Sequence, residues 1–85
     1  MKIVWDEPKR LTNLANRQLD FADLLDGEFF MSARILPANK GRLMAIGYHQ
    51  GSPHTVIFKA LGTEAISLIS LRRASRKERQ DYEES

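Results

Sequence analysis

Short turn segments in the second half of the chain constrain its fold more than any other feature. Four strand-like segments, at 29–36, 42–49, 55–61 and 64–71, are separated by residues rich in glycine and proline. Connections this short join antiparallel neighbours, since a parallel pair needs a crossover of a dozen or more residues. The second half of the chain therefore predicts an antiparallel sheet.

The N-terminal residues predict one more strand and two helices. Lys2–Trp5 contains β-branched and aromatic residues, which are typical of a strand. A helix that Asp6 caps is expected to run to about residue 17, because its apolar residues recur at helical spacing. Asp20 could cap a shorter helix over 21–25, which Gly27 ends. We expect a single α+β domain over residues 1–85, with helices packed on one face of the antiparallel sheet.

Composition excludes several classes of protein. The chain has 85 residues, a net charge of +2 and no cysteine, so it has neither a disulfide framework nor a thiolate metal site. No apolar run approaches the ~20 residues that a membrane-spanning helix needs, and acidic residues interrupt the N-terminus where a secretory signal would be apolar. We expect a cytoplasmic protein.

The segment that follows the last strand combines arginines with a helix start. Arg72 and Arg73 stand where the strand is expected to end, and Ser75-x-x-Glu78 has the spacing of a capping box. Five of the 13 Lys and Arg residues lie between Arg72 and Arg79. Guanidinium groups bind phosphate through two parallel hydrogen bonds, so this segment suggests an anion site. Because adjacent strand residues point to opposite faces, only one of the paired arginines is expected to face any given site.

The two histidines flank a predicted turn. His49 and His54 stand on either side of residues 50–53, so their side chains could approach each other across a hairpin. A pair of histidines without a third ligand at suitable spacing is a weak metal signal. We expect both to be solvated, with a role in proton transfer as the open alternative.

Two motifs resemble a known protein family. The first is Trp5-Asp6-x-x-Lys9-x-x-x-Asn13, followed by Phe21. The second is Ile69-Ser70-Leu71-Arg72-Arg73-Ala74-Ser75-x-x-Glu78-x-x-x-Tyr82, and Arg42-x-x-x-Ile46-Gly47 lies between the two. In residues 2–21 and 41–83 the chain resembles the BrnT family, the toxin half of a bacterial type II toxin–antitoxin pair.

The resemblance implies a RelE-like fold and a metal-independent endoribonuclease that needs no cofactor and blocks translation. It also implies a partner, a BrnA-like antitoxin with a ribbon–helix–helix DNA-binding domain. The toxin would reach operator DNA only through this antitoxin. The residues expected to act in catalysis are Arg72, Arg42, Arg73 and Tyr82. Those expected to hold RNA phosphates are Lys9, Asn13 and Arg17.

The chain departs from the family pattern at positions with chemical consequences: Gly41 replaces a usual Glu, Ser67 replaces an Arg, and one segment of the first helix differs. The family usually has Lys-His-Gly after the helix asparagine, whereas this chain has Asn16-Arg17-Gln18. An arginine cannot act as a base near neutral pH. Two alternatives therefore stay open: a catalytically impaired homologue that binds an antitoxin or nucleic acid, and a nucleic-acid-binding protein without an antitoxin.

Overall fold

The chain forms one mixed sheet with helices on both sides. A computed structural model describes residues 1–84, and its five strands are β1 (Lys2–Trp5), β2 (Arg34–Pro37), β3 (Leu43–His49), β4 (Ser52–Leu61) and β5 (Ala65–Arg73). Their spatial order is β1-β5-β4-β3-β2. The helices are α1 (Glu7–Arg17), α2 (Glu28–Met31) and α3 (Arg76–Glu84), and 3₁₀ turns occupy Phe21–Leu24 and Asn39–Gly41. The expected α+β class is confirmed.

The sheet is not purely antiparallel, as the short turns had suggested. Strands β2 to β5 pair antiparallel with their neighbours, but β1 runs parallel to β5, with Lys2 opposite Ala65 and Trp5 opposite Leu68. Short turns require antiparallel pairing only of strands that follow each other directly in the chain. The intervening residues between β1 and β5 supply the long crossover that a parallel pair needs.

The predicted strand over 29–36 is wrong in its first half. Residues Glu28–Met31 form the short helix α2, and only Arg34–Pro37 pair with β3. The Asp26 side chain accepts a hydrogen bond from the Glu28 N–H at 3.0 Å, which starts this helical turn. The rings of the two phenylalanines in α2 meet edge to face, with centroids 5.2 Å apart, so aromatic packing outweighs their strand propensity.

The two faces of the sheet carry different layers. The core face presents buried apolar side chains, including Ala45, Val56 and Leu71, which pack against Phe21 and Leu24 from the segment after α1. Ile46 and Thr55 point to the other face, which we call the α3 face, and both are fully buried. Helix α3 covers that face, so the expectation that all helices pack on one face is wrong.

A two-residue turn joins β3 to β4. His49 pairs with Ser52, and the two residues between them, Gln50 and Gly51, have φ values of 53° and 79°. Positive φ at both central positions is the type I′ geometry that matches the twist of a hairpin. The hairpin is therefore longer than the sequence suggested, and β4 starts at Ser52 rather than at Thr55.

Candidate functional site

The paired arginines at the end of β5 lie on opposite faces of the sheet. Arg72 is opposite Thr55 and Arg73 is opposite His54. Arg72 donates to both oxygens of Glu78, from Nη1 to Oε1 at 2.7 Å and from Nη2 to Oε2 at 2.9 Å. This bidentate pair ties β5 to α3 and places the Arg72 guanidinium in an ion pair on the α3 face.

Glu78 also completes the predicted capping box. Its Oε1 accepts from the Ser75 N–H at 2.8 Å, and its own N–H donates to the Ser75 hydroxyl at 3.2 Å. Hydrogen bonding from Arg72, more than from Ser75 and Thr55, lowers the pKa of Glu78 from 4.5 to about 2, although burial acts in the opposite direction. The capping box is confirmed, and one carboxylate serves both the helix and the sheet.

Arg73 enters a cleft at the end of the core face. The cleft has a volume of about 550 Å³, and the C-terminal end of α1 forms its opposite wall. Its lining residues are Asn16, Arg17, Gln18, Leu19, Gln50, Ser52, His54 and Arg73. The exposed side chains of Arg17 and Arg73 make no hydrogen bond or ion pair with any residue of the described chain, 1–84. We call this site the arginine cleft.

His54 forms the floor of the arginine cleft. It is only 2% exposed, so the expectation of a solvated side chain is wrong for this histidine. Its Nδ1 lies 2.9 Å from the Ser52 carbonyl oxygen. A carbonyl can only accept, so this contact places the proton of a neutral ring on Nδ1 and leaves Nε2 with a free lone pair.

His49 packs against His54 across the hairpin, and its side chain is only 12% exposed, so the expectation of a solvated side chain is wrong for His49 too. The two ring centroids are 5.2 Å apart and the rings meet at 89°. Burial, with a smaller contribution from His54, lowers the pKa of His49, while Asp23 acts in the opposite direction. The Nε2 of His49 is buried without a hydrogen bond and lies 4.0 Å from the Asp23 carboxylate. No set of three side chains in residues 1–84 has the arrangement of a metal site.

Arg42 and Lys9 line a second basic site, and Lys9 also lines a groove of about 370 Å³ along α1 together with Asn13 and Arg17. Lys9, Lys40, Arg42 and Lys59 surround a groove of about 270 Å³, which we call the basic groove. Asp6 also lines it and pairs with the Lys9 amine at 3.2 Å. Lys9 and Arg17 are eight residues apart on α1, so roughly 12 Å of helix separates the basic groove from the arginine cleft.

Two other expected site residues, Asn13 and Tyr82, make contacts within the fold. Asn13 is buried: its Nδ2 donates to the Leu19 carbonyl at 2.9 Å, and its Oδ1 accepts from the Leu71 N–H at 3.0 Å. Asn13 thereby supplies a hydrogen-bond partner to the backbone of β5 beyond the end of β1. Tyr82 donates to the Ser32 carbonyl at 3.2 Å and contacts Tyr48, which anchors α3 on the α3 face, away from the arginine cleft.

The position of His54 in the arginine cleft was missed, although the sequence carried a signal for it. His54, Val56 and Phe58 alternate along β4, and the last two are buried in the core. An extension of the strand by three residues toward its N-terminus places His54 on the same face, at the rim of the core. The assumed turn over 50–53 hid this pattern.

The comparisons with known proteins identify the family. Residues 5–78 match the family model described as the ribonuclease toxin BrnT of type II toxin–antitoxin systems. The crystal structure of the Brucella abortus ribonuclease toxin BrnT is 57% identical and superposes with a TM-score of 0.80, over 89% of this chain and 99% of that one. A search of curated proteins found no match. No helix within residues 1–84 is long and apolar enough to cross a bilayer. The fold and the match over most of the chain show that this protein belongs to the BrnT family of type II toxin–antitoxin systems.

Proposed function

We propose that this protein is an endoribonuclease toxin that cleaves RNA without a metal ion and thereby inhibits translation in the cytoplasm. The observation that carries the proposal is the arginine cleft, in a chain of the BrnT family. Arg17 and Arg73 present two guanidinium groups to the cleft without internal partners. Arg10 and Arg72, by contrast, are already paired within the fold, with Asp20 and Glu78 respectively.

The chemistry of RNA cleavage explains why two free arginines matter. Attack of a ribose 2′-hydroxyl on the adjacent phosphorus passes through a phosphorane whose oxygens carry additional negative charge. Preorganised cations that face this charge stabilise the transition state, and removal of one such donor typically costs on the order of 10²–10³ in rate. Arg73 holds the phosphate in this proposal, and Arg17 provides the second cation from the end of α1.

The remaining predicted residues have supporting parts in the proposal. Lys9 and Arg42, in the basic groove, bind phosphates of the same RNA away from the scissile bond, which adds affinity without sequence information. Arg72 and Tyr82 hold α3 on the sheet and do not touch RNA. Their substitution then acts through stability and not through the chemical step.

We propose in addition that a BrnA-like antitoxin neutralises the protein. That antitoxin would carry a ribbon–helix–helix domain, so the toxin would reach operator DNA only through the complex. A helix with exposed cations offers it a binding surface, since Arg76, Lys77 and Arg79 are all exposed on α3.

Expression of the chain alone, followed by RNA cleavage in vitro, tests the proposed function. The purified protein should cleave RNA in the presence of EDTA, and its induction should arrest growth and translation. Arg73→Gln should lose on the order of 10²–10³ in rate. Arg76→Gln is the matched control, because it removes an exposed arginine from α3 and leaves the cleft intact.

The outcomes separate the proposal from its rivals. The second candidate is a catalytically impaired homologue, because Arg17 replaces the family histidine. Normal growth and intact RNA, with soluble folded protein, would favour this candidate. Cleavage that EDTA abolishes would exclude the metal-free mechanism. Equal activity of Arg73→Gln and wild type would remove the arginine cleft from the reaction.

A further inference from the structure

The arginine cleft contains one group that the proposed function leaves unused. His54 lies directly opposite Arg73 on the neighbouring strand, and both side chains are on the core face. Side chains in such a cross-strand pair start about 5 Å apart at Cβ, so the imidazole is a neighbour of whatever anion the guanidinium binds. The cleft thus combines phosphate-binding cations with a side chain that can exchange protons near neutral pH.

We propose that His54 is the general base of the cleft, where its Nε2 takes the proton from the 2′-hydroxyl of a ribose whose 3′-phosphate is held by Arg73. The inference rests on the proposed ribonuclease function and adds to it the residue that carries the proton. His54 lies outside the motifs that resemble the family.

The hydrogen bond to Ser52 prepares the ring for this role. Because the Ser52 carbonyl fixes the proton on Nδ1, the lone pair of a neutral ring is on Nε2. That atom has no hydrogen-bond partner within residues 1–84, and His54 lines the cleft. The short type I′ turn and the antiparallel register on both sides of His54 hold the ring in one position, which proton transfer requires.

Charged side chains line the cleft beside His54. Arg73 from β5 and Arg17 from α1 line the same cleft, so both guanidinium groups and the imidazole face one bound anion. The His49 ring from β3 meets the His54 ring edge to face, and the Asp23 carboxylate lies 4.0 Å from the Nε2 of His49. Burial lowers the pKa of His49, so that neighbour is neutral at pH 7 and adds no charge.

The proposed step balances as follows in atoms and protons. The 2′-hydroxyl proton moves to Nε2 as the bond from O2′ to phosphorus forms. The bond from phosphorus to O5′ breaks, O5′ takes a proton from water, and the imidazolium returns its proton to the resulting hydroxide. The products are a 2′,3′-cyclic phosphate and a 5′-hydroxyl, and no oxidant, reductant or further reactant is needed.

Substitutions of the two hairpin histidines test the proposal. In His54→Asn the side-chain amide can still donate to the Ser52 carbonyl. In His54→Gln an amide group takes the place of Nε2. Neither side chain can act as a base. Both should lose on the order of 10²–10⁴ in cleavage rate. The same change at the adjacent histidine, His49→Gln, should leave the rate close to that of the wild type. Circular dichroism identifies variants that do not fold.

Two further measurements separate a base from a merely structural residue. The affinity for RNA with 2′-O-methyl groups at every ribose, which cannot react, should be the same for wild type and both His54 variants. The wild-type rate should rise with pH through the range in which an imidazole loses its proton, and the products should carry 2′,3′-cyclic phosphates. These wild-type measurements test the proposal even if the His54 variants do not fold.

Each result has one interpretation. A folded His54→Gln protein with wild-type rate and pH profile would overturn the proposal while the ribonuclease function stands. Products with 3′-hydroxyl and 5′-phosphate ends would do the same, because the 2′-hydroxyl would then not be the nucleophile. A wild-type protein that cleaves no RNA would overturn both this inference and the proposed function.

Discussion

The contact between Arg72 and Glu78 predicts how stability depends on pH. Replacement of Glu78 by glutamine removes the charge but keeps an oxygen that can accept from Ser75 and Thr55. The pKa of Glu78 is 4.5 ordinarily and about 2 in the folded protein, and this difference corresponds to about 3 kcal/mol. Arg72 is 28% exposed, so solvent screening reduces the contribution, and we expect Glu78→Gln to cost about 1–2 kcal/mol at pH 7.

The direction of the pH dependence follows from the lower pKa in the folded state. A carboxylate with a depressed pKa stabilises the fold fully above its unfolded value of 4.5, and this contribution is lost as the pH falls through about 2. The free energies of unfolding of wild type and Glu78→Gln should therefore differ at pH 7 and converge between pH 4.5 and pH 2.

Urea denaturation, followed by circular dichroism over a series of pH values, measures both quantities. Glu83→Gln is the control, since it removes an exposed carboxylate from the same helix and should change stability by at most about 0.5 kcal/mol. If Glu78→Gln matched the wild type at pH 7, the ion pair would contribute nothing. If its deficit were the same at pH 7 and pH 2.5, the loss would come from packing and not from charge.

Two other predictions concern the edge of β5 and the antitoxin. Asn13→Ala leaves the Leu19 carbonyl and the Leu71 N–H without their side-chain partner, so it should lower the free energy of unfolding by about 2–4 kcal/mol, measured by urea denaturation. Asn16→Ala, at an exposed position on the same helix, is the control and should change it little. Replacement of Arg76, Lys77 and Arg79 by glutamine should weaken antitoxin binding and flatten its salt dependence in titrations, because exposed ion pairs are screened by salt. An unchanged affinity would place the antitoxin elsewhere.

Local signals allowed much of the fold to be predicted from the sequence. The capping box of α3 and the order of the hairpin strands depend on residues only a few positions apart, and both are present in the structure. The parallel pairing of β1 with β5 joins residues that are far apart in the chain, and no local pattern contains it. The role of Asn13 was missed for the same reason, since its partner Leu71 is 58 residues away.

A single irregularity in the sheet decides which of Arg72 and Arg73 lies on the core face. Ile66 and Leu68 face the core, and strict alternation from them would place Ser70 and Arg72 on the core face too. The register between β4 and β5 shifts between Ile57 and Phe58, which leaves an extra residue in β5 and brings Leu71 to the core.

This extra residue in β5 is a β-bulge. It therefore turns Arg73 toward His54 and Arg72 toward Glu78. Without the extra residue the two arginines would exchange faces, the cleft would lose its cross-strand pair, and α3 would lose its anchor. A bulge adds twist and redirects the side chains beyond it, but its position depends on packing across two strands and is not visible in the sequence of either one. The candidate site thus depends on a feature of the sheet, whereas the arginines that occupy it were evident from the start.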